Sequence, residues 1–146
     1  MKRTNCLILA FLLCIAASAA GRVLPQSSDR DHPTPVKSNE IVGDLDGSGD
    51  ESFYSFVAGA GELTLTVDVK SSTGQALLNF ELLDNNADKA MICCEFAQAD
   101  GDGQSARDIK SVKLAKGQMV VLHLTVGKAG RGTYRVRFSG TAVPKG

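Results

Sequence analysis

The segment Asp44-Leu45-Asp46-Gly47-Ser48-Gly49-Asp50 sets oxygen-bearing side chains at alternate positions. Ca2+ is a hard cation that takes carboxylate and hydroxyl oxygens, so Asp44, Asp46, Ser48 and Asp50 form a candidate Ca2+ set, with weak binding expected. The second half of a helix–loop–helix calcium loop is missing. Ser55 stands where the closing bidentate Glu belongs, and Glu51 occupies a normally apolar place. The competing reading is an Asp/Gly-rich turn between strands, which turn chemistry favours.

The remaining reactive side chains converge less. Asp100-Gly101-Asp102 is a second acidic turn, read as solvated. His123 alternates with Leu122 and Leu124 and so points outward with Val121 and Thr125, while the other histidine, His32, lies far away in sequence. A lone surface histidine needs partners to act as a ligand or a base, and no nucleophile has a supporting motif. Neighbouring Cys93 and Cys94 on a strand would face opposite ways, so a bond between them is not expected. Cys94, in phase with Ile92 and Phe96, reads as a small buried filler, and Cys93, in phase with Met91 and Glu95, as the exposed thiol. Lys128, Arg131, Arg135 and Arg137 make the chain's end basic, an arrangement that commonly guards a sheet edge. No catalytic residues are assigned.

The elements that carry these residues have a period of two. Leu63, Leu65, Val67 and Val69 alternate with polar residues, as do Val120, Leu122, Leu124 and Val126. Tyr134, Val136 and Phe138 alternate with Arg135 and Arg137 on a last strand over Thr133–Ser139. Further strands are expected at Ile41–Gly43, Ser52–Ala58, Glu62–Val69, Ala76–Asp84, Lys89–Ala97, Asp108–Ala115 and Gln118–Val126. Turn chemistry separates them at Gly59–Gly61, Asp84–Asn86, Asp100–Gly103, Lys116-Gly117 and Gly130–Gly132. About eight strands without a helical apolar stripe imply an all-β, antiparallel two-sheet sandwich.

The segment before this domain divides in two. Met1-Lys2-Arg3, the apolar run Leu7–Ala17 and the small residues Ala17–Ala20 make residues 1–20 a signal peptide, cut after Ala19 or Ala20. Leu13 before Cys14 argues against lipoprotein processing. Residues 21–39, with Pro25, Pro33 and Pro35, read as a flexible leader, followed by a domain over 40–141 and a tail at 142–146. The chain carries 16 basic and 16 acidic residues; losing Lys2 and Arg3 leaves 14 against 16, with no basic surplus for nucleic acid. There is no Trp, so sugar recognition by stacking has little to work with.

Gly43-Asp44-Leu45, the acidic loop, Asp50-Glu51-Ser52-Phe53-Tyr54-Ser55-Phe56 and Ala58-Gly59-Ala60-Gly61-Glu62-Leu63-Thr64-Leu65 together resemble the bacterial pre-peptidase C-terminal domain. Asn79–Asn85 and Gly132-Thr133-Tyr134-Arg135-Val136 fit its later strands, so the resemblance covers residues 40–140. It implies a secreted sandwich of jelly-roll type and a Ca2+ site near the domain's start. Such domains accompany a catalytic module, and only the leader precedes this one. The expected function is a secreted, non-catalytic accessory module binding an extracellular protein or polysaccharide. The alternative is a structural, envelope-associated domain with no dedicated ligand.

Overall fold

The computed structural model describes residues 26–86 and 89–143, all of them strand, turn or irregular backbone. The expected signal peptide, residues 1–20, and the first leader residues lie outside this range. Among the described residues nine strands form: β1 (Thr34–Pro35), β2 (Glu40–Leu45), β3 (Glu51–Ala58), β4 (Gly61–Thr73), β5 (Gln75–Leu83), β6 (Ala90–Asp100), β7 (Ser105–Leu114), β8 (Gln118–Val126) and β9 (Arg131–Ser139). They make a five-stranded sheet in the order β1-β3-β8-β5-β6 and a four-stranded sheet in the order β2-β9-β4-β7. From β2 onward every connection crosses between the sheets except β5 to β6, which gives the jelly-roll arrangement.

The alternating aliphatics meet between the sheets. Leu63, Leu65 and Val67 of β4, Val120 and Leu122 of β8, and Val136 of β9 are fully buried, with Phe56 and Phe138 packed ring to ring at 4.6 Å. Burying each such side chain stabilises the fold by roughly 1.5–3 kcal/mol. All eight expected strands form. β4 outruns its apolar pattern by four residues because β7 and β9 pair with it on both sides as far as Lys70 and Thr73 respectively.

Four local expectations are corrected. The leader does not stay free: Ser27 bridges Phe53, Thr34 and Pro35 pair in parallel with β3, and Val36 is buried. Pro35 sits within the short strand itself, and a proline suits an edge strand. At the other end Ala142 is fully buried and exchanges backbone hydrogen bonds with Gly59 and Glu62, so the packed domain runs past 141.

β9 is an interior strand between β2 and β4, so its arginines lie on a sheet face and guard no edge. The fourth correction is in β6, where the register with β5 shifts between Phe80 and Leu82. Cys94 takes φ 61°, and the bulge brings both cysteine side chains to the exposed side, where they are joined as a disulfide. Cys94 is therefore no core filler, and Phe96 is turned out to 56% exposure while Ala97 and Ala99 face inward. The bridge spans one peptide bond, so it ties no distant parts of the chain together.

Candidate functional site

The acidic loop is a self-capped turn. Asp46 Oδ1 accepts from the Ser48 N–H at 3.0 Å, and Ser48 Oγ from the Asp50 N–H at 3.1 Å. Gly47 and Gly49 sit at φ 76° and 80°, where a side chain would be strained. The Ser48 hydrogen bonds hold the Asp46 carboxyl below its ordinary value, helped by Arg131. The loop lies against the β8–β9 connection: a side chain at Gly49 would meet Lys128, and the Val126 N–H donates to Asp50 O. Lys128 and Arg131, read from sequence as part of a basic end, are thus neighbours of the acidic loop. The carboxylates of Asp44, Asp46 and Asp50 do not converge within 4.8 Å of one another, and Asp44 faces away, onto the outer face of the four-stranded sheet.

The second acidic turn clasps the β4–β5 turn. Asp102 Oδ1 accepts from the Gly74 N–H, and Asp100 Oδ1 from the side-chain amides of Gln75 and Gln98. His32 stays in solvent with Nδ1 2.7 Å from Asp29 Oδ2; that hydrogen bond raises the His32 pKa and lowers that of Asp29. His123 does point outward, as its position in the alternation requires, but it is not isolated. It stacks on Phe53 at 4.4 Å and lies 3.4 Å from carboxylate oxygens of both Glu51 and Glu81.

A concave feature spans the outer face of the four-stranded sheet, a groove of about 900 Å³. Its charged lining comes from four strands: Glu40 and Asp44 of β2, Arg135 and Arg137 of β9, Asp68 and Lys70 of β4, and Arg107 of β7. Register explains the grouping. Asp68 is the Cα partner of both Arg107 and Arg135, so three outward residues from three strands stand in one row, with Arg137 two positions on. Asp68 takes Arg107 Nε on one oxygen at 2.5 Å and Arg137 Nη2 on the other at 2.7 Å, and Arg135 leans on Glu40 at 3.6 Å. Arg137 Nε is shielded from solvent and has no protein acceptor. The three arginine side chains keep about half their surface exposed, at 58% for Arg107, 54% for Arg135 and 43% for Arg137. Alternation revealed that Arg135 and Arg137 point outward; the strand order that adds Asp68 and Arg107 is not written in any local pattern.

Partial burial pushes the Asp68 carboxyl up, but the hydrogen bonds and charges of Arg107 and Arg137 outweigh it and hold the group below its ordinary value. A carboxylate depressed in the folded state contributes stability that is complete above its unfolded pKa of about 3.9 and is lost as pH falls through the folded value. Asp68→Asn should therefore remove part of the acid-induced loss of stability. Chemical-denaturation midpoints of wild type and variant, compared at neutral pH and below pH ~4, are expected to converge toward acid. Parallel curves would show that Asp68 does not titrate differently in the two states.

No family model matches the chain, and no curated protein does. Among solved structures it is similar to the pre-peptidase C-terminal domain of collagenase from Bacillus anthracis, at 17% identity and a TM-score of 0.45, over 74% of this chain and 95% of that one. It is also similar to the CBM36-1 domain of a multidomain xylanase from the hindgut metagenome of Trinervitermes trinervoides, at 16% identity and a TM-score of 0.49, over 68% and 78%. A third similarity is to PliG of Aeromonas hydrophila, a periplasmic inhibitor of g-type lysozyme, at 19% identity and a TM-score of 0.42, over 73% and 96%.

Proposed function

We propose that this chain is an exported, non-catalytic binding module whose groove on the four-stranded sheet holds an acidic polysaccharide. The supporting observation is the group of half-exposed arginine side chains at 107, 135 and 137, with Lys70 beside them. Arginine presents a planar fork that takes a carboxylate through two parallel hydrogen bonds. Asp68 is shared between two arginines and Glu40 leans on a third, so the groove's own carboxylates leave donors available. A polysaccharide fits better than a protein because protein interfaces centre on apolar and aromatic anchors. Tyr134 lines the groove but is 4% exposed and offers no ring face to a ligand.

Affinity built on charge-assisted hydrogen bonds, without stacking, weakens with salt. Titration calorimetry is expected to show binding of polygalacturonate and not of a neutral glucan, with affinity falling as salt rises. The Arg135→Ala/Arg137→Ala double variant, first checked for its melting temperature, is expected to bind at least tenfold more weakly, a loss of about 1.4 kcal/mol. Equal binding of neutral and acidic chains would remove the arginine row from recognition, and binding of neither would leave the structural envelope domain as the better account.

Calcium is a separate part of this proposal. The alternate spacing of oxygen-bearing residues at 44, 46, 48 and 50 supports it; the outward turn of Asp44 and the positive charge of Lys128 and Arg131 beside the loop weaken it. At ten times its Kd a single Ca2+ would add about 1.4 kcal/mol of stability. A calcium-dependent rise in melting temperature, abolished by Asp50→Asn, is the expected result; no shift and no heat of titration would remove calcium from the account.

A further inference from the structure

We propose that Cys93 and Cys94, once their bond is reduced, form with Glu81 a site for a thiophilic divalent cation of the zinc type. Glu81 of β5 lies beside the β6 bulge on the outer face of the five-stranded sheet. Its Oε1 is 3.7 Å from Cys94 Sγ and 4.0 Å from Cys93 Sγ. A bridged sulfur has no proton to donate, so in the oxidised form these are contacts without a shared hydrogen. With the bond open, the same three atoms are two thiolates and a carboxylate, a donor set that suits zinc and softer ions.

The spacing fits. In a tetrahedral zinc site with Zn–S near 2.3 Å and Zn–O near 2.0 Å, sulfur and oxygen ligands stand about 3.5 Å apart. All three ligand atoms already lie within 4.8 Å of one another. What the disulfide prevents is the separation of the two sulfurs, which must reach about 3.8 Å to share one ion. A fourth position would be left to water, since both cysteines are exposed.

His123 supplies the support such a site needs. Its Nδ1 is 3.4 Å from Glu81 Oε2, the oxygen turned away from the sulfurs, and its ring is fixed by stacking on Phe53. A hydrogen bond to the far oxygen of a ligating carboxylate orients the near one, so His123 is a positioning residue. The gating step balances: a dithiol reductant gives two electrons and two protons, its own sulfurs joining as a disulfide while the Cys93–Cys94 bond breaks into two thiols. Binding of the divalent ion then releases both thiol protons.

Cd2+ is the probe, because cadmium thiolates absorb in the ultraviolet. The protein reduced by a dithiol, then freed of reductant without air, is expected to take one Cd2+ per chain with a thiolate-to-metal band. The oxidised protein, which keeps the fold and serves as the control, is expected to give none. Glu81→Gln should weaken binding tenfold or more, and His123→Ala should do so less, with partial recovery in His123→Gln. No band in the reduced protein, equal binding in both redox states, or Glu81→Gln affinity equal to wild type would each overturn the site.

Discussion

Gly132→Ala is expected to destabilise the protein by about 3 kcal/mol or more, at the upper end of what overpacking costs. A Cβ at this position would stand 2.1 Å from Lys70 O, 3.0 Å from Lys70 C and 3.1 Å from Ser71 Cα. All three are backbone atoms of β4, so no flexible side chain can swing aside to make room. Gly132 is paired on both sides, with Leu45 of β2 and Ser71 of β4, and the β4–β9 register shifts just beyond Ser71. Relief of the clash would have to part β9 from β4 in the middle of the sheet that carries the groove. Against a total stability of typically 5–15 kcal/mol, such a loss should appear as a large drop in the urea midpoint. A loss under about 1 kcal/mol would mean that the two strands are not held this close.

The second large effect is expected at Tyr134, two residues along. Its ring lies over Gly43, where an added Cβ would come within 2.5 Å of Cζ and the hydroxyl. The hydroxyl accepts from Gln26 Nε2 at 3.1 Å and is a hydrogen-bond partner of buried Tyr54. Burial pushes both phenols above their ordinary value, so they stay protonated and able to donate. Tyr134→Ala should cost about 3–5 kcal/mol through the cavity left under Gly43. Tyr134→Phe keeps the ring and removes only the polar contacts, for about 1–2 kcal/mol. Thermal melts of the pair separate the two contributions. Equal losses would assign the whole effect to the hydroxyl and its tie to Gln26, and would make the segment before β1 more important than its short pairing implies.

These two residues also show why part of the fold was readable. Gly132 and Tyr134 belong to the closing Gly132-Thr133-Tyr134 pattern, and each has a physical reason to be there: close backbone approach, and a ring laid over Gly43. The burial alternation in β4, β8 and β9 follows the two-residue strand period, so the inward faces were legible directly. β6 was not, because a single bulge at Cys93-Cys94 reverses the phase and turns Phe96 outward in place of inward. Residues 26–36 carry too few apolar positions to declare a strand; their place follows from an edge of β3 that only the assembled sheet creates.

The groove illustrates the same limit. Asp68 and Arg137 are 69 positions apart and Asp68 and Arg107 39, and nothing local links them. The acidic loop, by contrast, was conspicuous in sequence, yet its side chains largely cap their own backbone. His123 was correctly placed on the outer face, while its neighbours Glu51, Phe53 and Glu81 arrive from strands whose adjacency is set by the jelly-roll order.

The central claim is that ligand recognition belongs to the outer face of the four-stranded sheet. Amide chemical-shift mapping during titration with polygalacturonate tests it with residue resolution. The expected result is a contiguous set of perturbed amides on β2, β4, β7 and β9, centred on Asp68, Arg135 and Arg137 and reversed by added salt. Perturbations gathered around Phe53, Glu81 and His123 on the opposite sheet, or a spectrum unchanged at saturating polysaccharide, would contradict it.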